Sequence, residues 1–471
     1  MRIKGKVKRY SDFNGYGFVI GEDGIDYFIH ISNIEMDGYK ALCAGQHVEF
    51  TPVVTAKGVQ AYELVVIANE QQNNDTETEI RDNPFSPQKP ILNPRKFAGR
   101  RQETILAIKA LHNKSNVLVF GPRGIGKSSF ARQITLVNEG KTDLLDKLGI
   151  SITNFRNNFL TCDYSCQKDD SLQVIVNNLL SILHFKLTGE RLPFEQRKAV
   201  SHSIGDSCVS VDRVETNKSD SELASTFRMC ISNLFKDGAH ACSGITFFVD
   251  EIDTLDSNVD LVTFIKSVTE AAHVGTQVHF IFVLCGVAGA YTNFLAQHPS
   301  SARLFEPIQL TQFKNSEIHE MLSLSLQGSG YTISPDASTL ICQLSNRFPH
   351  PVHQLGYYAF DNATRKTISI NDVDEAKRII TTRIKEQEFH NRLTEESTSP
   401  SLQLLQTLAS FSEDSVTIAD IEKKLPSFGI RKILGSFSPL LEREYIDREG
   451  NKYRFREPLF KIYIRWAFNL A

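Results

Sequence analysis

The sequence predicts a multidomain chain: a small all-β barrel, then an α/β unit with a parallel sheet, then mainly helical elements. Three observations predict it. Short alternating runs broken by Asn14-Gly15, Asp23-Gly24, Asp37-Gly38 and Lys57-Gly58 fill residues 1–68. From Arg95 onward, apolar runs at 117–120, 159–162, 245–249 and 279–284 alternate with helical stretches, the pattern of a parallel sheet covered on both faces. From 312 to 391 the periodicity is helical only. Residues 392–471 add three short helices and a strand pair around Glu449-Gly450.

The implied organisation is a barrel at 1–68, a linker at 69–94, an α/β core at 95–311, a helical lid at 312–391 and a terminal module at 392–471. Residues 69–83 carry almost no apolar side chains and lead into the Pro-punctuated stretch 83–94, so this part reads as a linker with a semi-stiff end. Residues 187–220 read as a polar insertion with loop character. In the lid, Ser334-Pro335 and Asn371-Asp372 are helix-capping signals.

Composition sets outer limits. The 471 residues carry 52 Lys+Arg against 55 Asp+Glu, a net charge of −3, so any nucleic-acid surface is local rather than a property of the whole molecule. The 8 cysteines form no paired set that closes a tetrahedral zinc site, and no HExxH appears; this disfavours a metalloenzyme and fits reduced thiols in the cytoplasm. No apolar signal core opens the chain, and apolar windows such as 278–287 are too short to span a bilayer, so no membrane partner is expected.

In the barrel, period-two geometry places Tyr16, Phe18, Phe28 and His30 on one face, where bases of a single strand can stack while Lys4, Lys6, Lys8 and Arg9 meet phosphates. The alternative is that these rings pack inward, which would turn Val7, Val19, Ile29 and Val48 to solvent. Gly5-Lys6-Val7-Lys8, Gly15 to Phe18, Phe28-Ile29-His30 and Leu42 to Phe50 resemble a bacterial cold-shock domain over residues 1–68. The resemblance implies an OB-fold barrel that binds single-stranded RNA or DNA, with stacking roles at Tyr10, Tyr16, Phe18, Phe28 and His30. The family's stacking tryptophan is Arg9 here and a usual aromatic is Ile31, so binding is expected to be weaker and more salt-sensitive.

The strongest chemical signal is Gly121-Pro122-Arg123-Gly124-Ile125-Gly126-Lys127-Ser128, followed by Ser129: a complete GxxxxGKS between an apolar strand and a helix. Its backbone N–H groups would wrap the phosphates of ATP. Lys127 would reach the β and γ phosphates, and the Ser128 hydroxyl would ligate Mg²⁺. Ile245 to Glu251 supplies the partner, an apolar strand ending in two carboxylates: Asp250 to organise Mg²⁺ and Glu251 to act as general base on water. Together they predict an ATPase. The alternative for Glu251 is capping of the next helix.

Other segments resemble the AAA+ and STAND group of P-loop ATPases, in the branch shared with origin-recognition-type proteins, over about residues 83–471. Asn83-Pro84-Phe85 and Phe97 to Glu103 are similar to the hhGRExE motif, which implies that Gly99 and Arg100 lie beside the adenine. Arg303 resembles an arginine that senses the γ-phosphate in cis or from a neighbouring subunit, or it pairs with Glu306. Pro351 matches the proline of the GxP segment, with Pro349 in place of its glycine. No second-sensor arginine follows, and strand 279–284 ends in Cys285-Gly286 where a polar first sensor is usual.

The C-terminal sequence resembles a winged helix. Arg431, Lys432 and Arg443 fall on its recognition helix, with Lys423, Lys424, Arg448, Lys452, Arg454 and Arg456 close by, which leaves duplex DNA and a protein both open as its partner. Three functions follow: an ATP-driven nucleic-acid-binding ATPase, a nucleic-acid-sensing switch in bacterial stress or antiphage defence acting through a separate effector, or an origin-recognition-like loader that works as a homo-oligomer.

Overall fold

The structure is a computed structural model and describes residues 2–11, 16–30, 33–34, 42, 45–55, 58–67, 82–152, 157–189, 220–235, 242–256, 258–271, 278–287, 289, 303–384, 400–443 and 445–470. Two compact units divide the chain, Met1–Arg81 and Asp82–Ala471.

In the first unit, Ile3–Ser11 (β1), Tyr16–Gly21 (β2), Asp26–His30 (β3), His47–Thr55 (β4) and Gly58–Val66 (β5) close a barrel in the order β1-β2-β3-β5-β4. The period-two pattern decides what faces inward: Val7, Val19, Tyr27, Ile29, Val48, Phe50, Ala61 and Leu64 are buried together. A register shift between Val7 and Arg9 then sets Arg9 opposite Phe18, Phe18 opposite Phe28, and Phe28 opposite Gln60, a row across four strands.

In the second unit, five parallel strands carry the site: Asn116–Phe120 (β6), Phe159–Ser165 (β7), Gly244–Asp250 (β8), His279–Gly286 (β9) and Phe305–Gln309 (β10), in the order β10-β6-β9-β8-β7. Alternate residues of each strand enter opposite cores. Val117, Val119, Val283, Cys285 and Ile308 pack beneath Arg101–His112 (α1), Lys127–Asn138 (α2) and Asp143–Leu148 (α3). Leu118, Phe247, Phe282 and Leu284 pack beneath Leu172–Thr188 (α4), Asp220–Leu234 (α5) and Leu261–Ala271 (α6). β6 lies between β10 and β9, so the chain order reverses at its C-terminal end, where open α/β sheets form their binding crevice.

After the sheet come Asn315–Leu326 (α7), Pro335–Leu344 (α8), Pro349–Asn362 (α9) and Ile370–Ile384 (α10). Ser334 caps α8 as its sequence suggests, accepting from Ala337 N. At α10 the capping pair is Ser369 with Asp372 rather than Asn371 with Asp372. The stretch is not helical throughout, because Thr332–Ile333 and Thr367–Ile368 pair as a short parallel bridge. The last segment holds Pro400–Ala409 (α11), Ile418–Lys424 (α12), Gly429–Glu442 (α13) and Pro458–Phe468 (α14) around an antiparallel sheet of Ser415–Thr417, Lys452–Phe455 and Ile446–Glu449. Phe437 stacks on Tyr453 at 3.7 Å in its core. Helix α14 belongs to two cores, with Ile462 and Trp466 in the larger one and Ile464 in this smaller one.

Half of the expected linker is part of the second unit. Phe85 is buried edge-on to the His353 ring, and Asn83 Nδ2 donates to Tyr357 O and Asp361 Oδ1. Ile91 N donates to Ser129 Oγ, and Gln133 Nε2 donates to the carbonyls of Ile91 and Leu92. The proline-rich composition that reads as a spacer instead forms a strap from α9 to α2. Residues 69–81 of the linker and 190–219 of the insertion lie outside the described residues. Among the described residues, no helix is long and apolar enough to cross a membrane.

Candidate functional site

The loop between β6 and α2 is shaped by glycines at positive φ. Gly124 and Gly126 adopt φ 73° and 94°, and a Cβ at Gly124 would strike Leu459 Cδ1 at 2.5 Å. Gly126 caps α2, so that helix opens with free backbone N–H groups towards the loop. Lys127 folds back over it, its Nζ donating to the carbonyls of Gly121 (3.0 Å) and Pro122 (3.2 Å). Burial holds the Lys127 ammonium below its usual pKa, with Asp253 and Asp250 partly offsetting this.

Around this loop lies a cavity of about 460 Å³, lined by Arg123, Gly124, Gly126, Lys127, Ser128 and Ser129, by Asp250, Glu251 and Asp253, and by strap residues 86–91. Lys96, Phe97, Arg100, Phe313, Met321, Pro349, His350 and His353 also line it. Glycines at positive φ, a lysine whose hydrogen bonds among the described residues go to backbone carbonyls, and a facing set of carboxylates fit a magnesium-nucleotide.

The carboxylates sit where β8 ends. Asp250 Oδ1 accepts from Glu251 N at 2.9 Å, and Glu251 itself adopts φ 56°, a conformation that non-glycine residues reserve for constrained sites. Ser165 follows from the parallel register of β7 opposite Asp250, and its Oγ donates to Glu251 Oε2 at 3.3 Å. Asp253, which neither motif marks, lies one 3-10 turn on, accepts from Val287 N and pairs with Arg123 at 3.7 Å. Its signal is the DEID run Asp250 to Asp253, legible only once both outer carboxylates are required.

Several expected site residues are placed less directly. Arg100 lines the cavity, but its buried guanidinium lies 3.9 Å over the Phe313 ring, pairs with Glu103 at 3.0 Å and donates to Ile125 O, so it braces the phosphate loop from behind. Gly121, Pro122 and Ile125 form the loop's underside, and Gly99 packs against Glu317. Pro351 is buried inside α9, and its neighbours Pro349 and His350 face the cavity instead. Cys285 is fully buried with its thiol donating to Lys127 O, so it does not offer a polar sensor to the cavity.

Arg303 requires a correction. Phe305 pairs with Asn116, the first residue of β6, while Gln309 pairs with Phe120 beside the phosphate loop. Arg303, exposed just before Phe305, therefore sits at the opposite edge of the sheet, roughly 15 Å along the strand direction from the cavity, and does not act in cis.

His350 and His353 tie the strap to the lid. His350 Nδ1 donates to Pro87 O at 3.1 Å, and His353 Nδ1 accepts from Ser86 N at 3.4 Å. Burial, with the charges of His350 and Lys96, lowers the His353 pKa to about 4. The folded value lies below the unfolded one, so the unfolded chain binds the extra proton between pH 6.5 and about 4. Stability falls as pH falls through that window, by about 3 kcal/mol at most from this residue. Denaturant titrations at pH 7 and pH 4 are expected to show that much less loss in His353→Gln than in the wild type; equal losses contradict it.

On the barrel, Phe18 and Phe28 meet edge to face at 5.7 Å, both half-buried on the outer side, with His30 exposed beside them. Lys8 Nζ lies 2.5 Å from Asp26. Tyr16 is opposite His30 and Tyr10 opposite Gly17 in the backbone register; the side chains of Arg9, Tyr10 and Tyr16 lie outside the described residues. At the C-terminal module the basic side chains are largely engaged. Lys423 pairs with Asp420, Arg454 with Asp447 and Glu449, while Lys424 and Lys432 lie over Phe411 and Phe428. Ile430 and Leu434 are exposed on α13.

Residues 3–67 match the family described as 'Cold-shock' DNA-binding domain. Cold shock-like protein CspC of Bacillus cereus is 48% identical over 63 residues, which are 97% of that protein and 13% of this chain. Solved structures overlap the remainder loosely. A Walker-type ATPase of Pyrococcus abyssi is 15% identical with a TM-score of 0.47, covering 80% of this chain and 99% of its own. The Orc1 protein of Aeropyrum pernix, solved in complex with DNA, is 14% identical with a TM-score of 0.40, covering 80% of this chain and 95% of its own. Through residues 3–67 the chain belongs to the cold-shock domain family, and the same polypeptide continues into an α/β P-loop unit.

Proposed function

We propose that this chain is an ATP-dependent nucleic-acid-binding ATPase, in which a single-strand-binding barrel is tethered to a P-loop engine with a lid and a terminal winged-helix module. The observation that carries the reading is the convergence on one cavity of Lys127, Ser128, Asp250 and Glu251 from two separate strand ends. Ser128 and Asp250 would hold Mg²⁺, whose chemistry there is to neutralise charge on the β and γ phosphates. Glu251, held by Ser165, takes the proton of the attacking water. Arg303, exposed at the far sheet edge, would serve hydrolysis only from a neighbouring copy in a homo-oligomer, the alternative being a pairing with Glu306.

For the terminal module the engaged basic side chains and the exposed Ile430 and Leu434 favour a protein partner over duplex DNA. That supports the signalling reading, with a separate effector, as the second candidate.

The test is steady-state ATP turnover by the full chain with Mg²⁺. Glu251→Gln is expected to bind ATP as the wild type does and to hydrolyse it about 10²–10⁴-fold more slowly. Normal turnover in that variant removes Glu251 from the reaction.

A further inference from the structure

Helix α14 begins on the phosphate loop. Arg123 Nη1 lies 3.0 Å from Glu457 Oε1, immediately before α14, and Arg123 Nη2 lies 3.7 Å from Asp253 Oδ2. Two residues on, Leu459 packs so closely on Gly124 that a single added methyl group would overlap it. The Arg123 and Glu457 side chains are 57% and 46% exposed, and Arg123 lines the cavity, so an arriving ligand reaches the guanidinium.

The direction of the effect follows from charge. A guanidinium takes a carboxylate or a phosphate through the same paired geometry, so a bound phosphate oxygen competes directly with Glu457. Lys127 marks the β and γ positions of the nucleotide, and Asp253, the other partner of Arg123, lies three residues past Asp250. Arg123 therefore belongs to the terminal-phosphate end of the cavity, away from the apolar end at Phe97 and Met321.

Resting on the nucleotide reading above, we infer that Glu457 is a specificity-determining residue of that site: its carboxylate holds Arg123 until a terminal phosphate takes the guanidinium. A triphosphate then frees the start of α14 from the loop, and a diphosphate does not. Because Ile462 and Trp466 of α14 pack into the larger core and Ile464 into the C-terminal one, the release reaches the module at 400–470 through one helix. Linkage makes the effect reciprocal: whatever strengthens the Glu457 contact weakens triphosphate binding by the same factor.

The test is equilibrium binding of ATPγS and of ADP, each with Mg²⁺, to the full-length wild type, Glu457→Gln, Arg123→Gln and Glu449→Gln, with amide hydrogen exchange across 456–468. Glu457→Gln is expected to tighten ATPγS about threefold, the scale an exposed ion pair allows, and to leave ADP unchanged. Arg123→Gln weakens ATPγS and abolishes the gain when combined with Glu457→Gln. Glu449→Gln, whose exposed side chain pairs with Arg454, changes neither affinity and controls for charge loss. In the wild type ATPγS speeds exchange across 456–468 and ADP does not. Equal shifts for the two nucleotides in Glu457→Gln, no shift at all, or exchange indifferent to ATPγS overturns the inference while leaving the nucleotide site intact. Failure of the wild type to bind either nucleotide overturns both.

Discussion

Lys127→Ala is expected to lower ATP turnover by about 10²–10³-fold and to weaken ATP binding at least tenfold, a loss in both rate and affinity. The geometry of the loop points to this role. Lys127 Nζ is held by two backbone carbonyls, which take two of its donors without neutralising it, inside a cavity where burial pushes its pKa down. Phosphate oxygens restore what burial removes, so the ammonium interacts more strongly as negative charge gathers on the β–γ bridge, and its loss falls on rate more than on affinity. Titration with a fluorescent ATP analogue and a turnover assay separate the two effects, with circular dichroism to show that the variant folds. Unchanged turnover in a folded Lys127→Ala protein contradicts the assignment of the loop.

The paired substitution Phe18→Ala and Phe28→Ala is expected to weaken binding of a single-stranded oligonucleotide at least about 30-fold, from base stacking worth roughly 1–3 kcal/mol per ring. The rings sit side by side on adjacent strands, in register, with the core residues Val19, Tyr27 and Ile29 turned to the other side. Stacking and phosphate contacts have separate signatures. Loss of the rings lowers affinity at every salt concentration, whereas Lys8→Ala lowers the salt slope by about 0.7 for one phosphate on a single strand. That lysine contributes less than a free one because it must leave Asp26 to meet a phosphate. A thermal melt of the double variant shows that the barrel still folds, and unchanged affinity in a folded barrel contradicts the stacking face.

What was legible in the sequence is what neighbouring residues decide together. The phosphate loop reads directly because its glycines, lysine and serine are consecutive and its function needs that order. The ring face of the barrel reads because strand geometry repeats every two residues, and the buried set at 7, 19, 29 and 48 is its complement. The rest of the cavity is made by topology. Ser165 reaches Glu251 because β7 lies beside β8, 86 residues away in the chain. The strap at 82–94 reads as a spacer, since its partners Tyr357 and Asp361 lie 274 and 278 residues on. The choice between cis and trans for Arg303 was not legible for a related reason: a resemblance gives its place in the order of motifs, and only the register of β10 on β6 shows which end of the sheet it occupies.

The measurement that bears most directly on the proposed function is ATP turnover by the intact chain at saturating single-stranded RNA and single-stranded DNA, compared with no nucleic acid and with the Phe18→Ala, Phe28→Ala variant. Coupling of the barrel to the P-loop unit predicts a single-strand-dependent change in turnover in the wild type that disappears in the variant, while its turnover without nucleic acid stays the same. Turnover that depends on Lys127 yet ignores every nucleic acid contradicts that coupling and reduces the barrel to a tether.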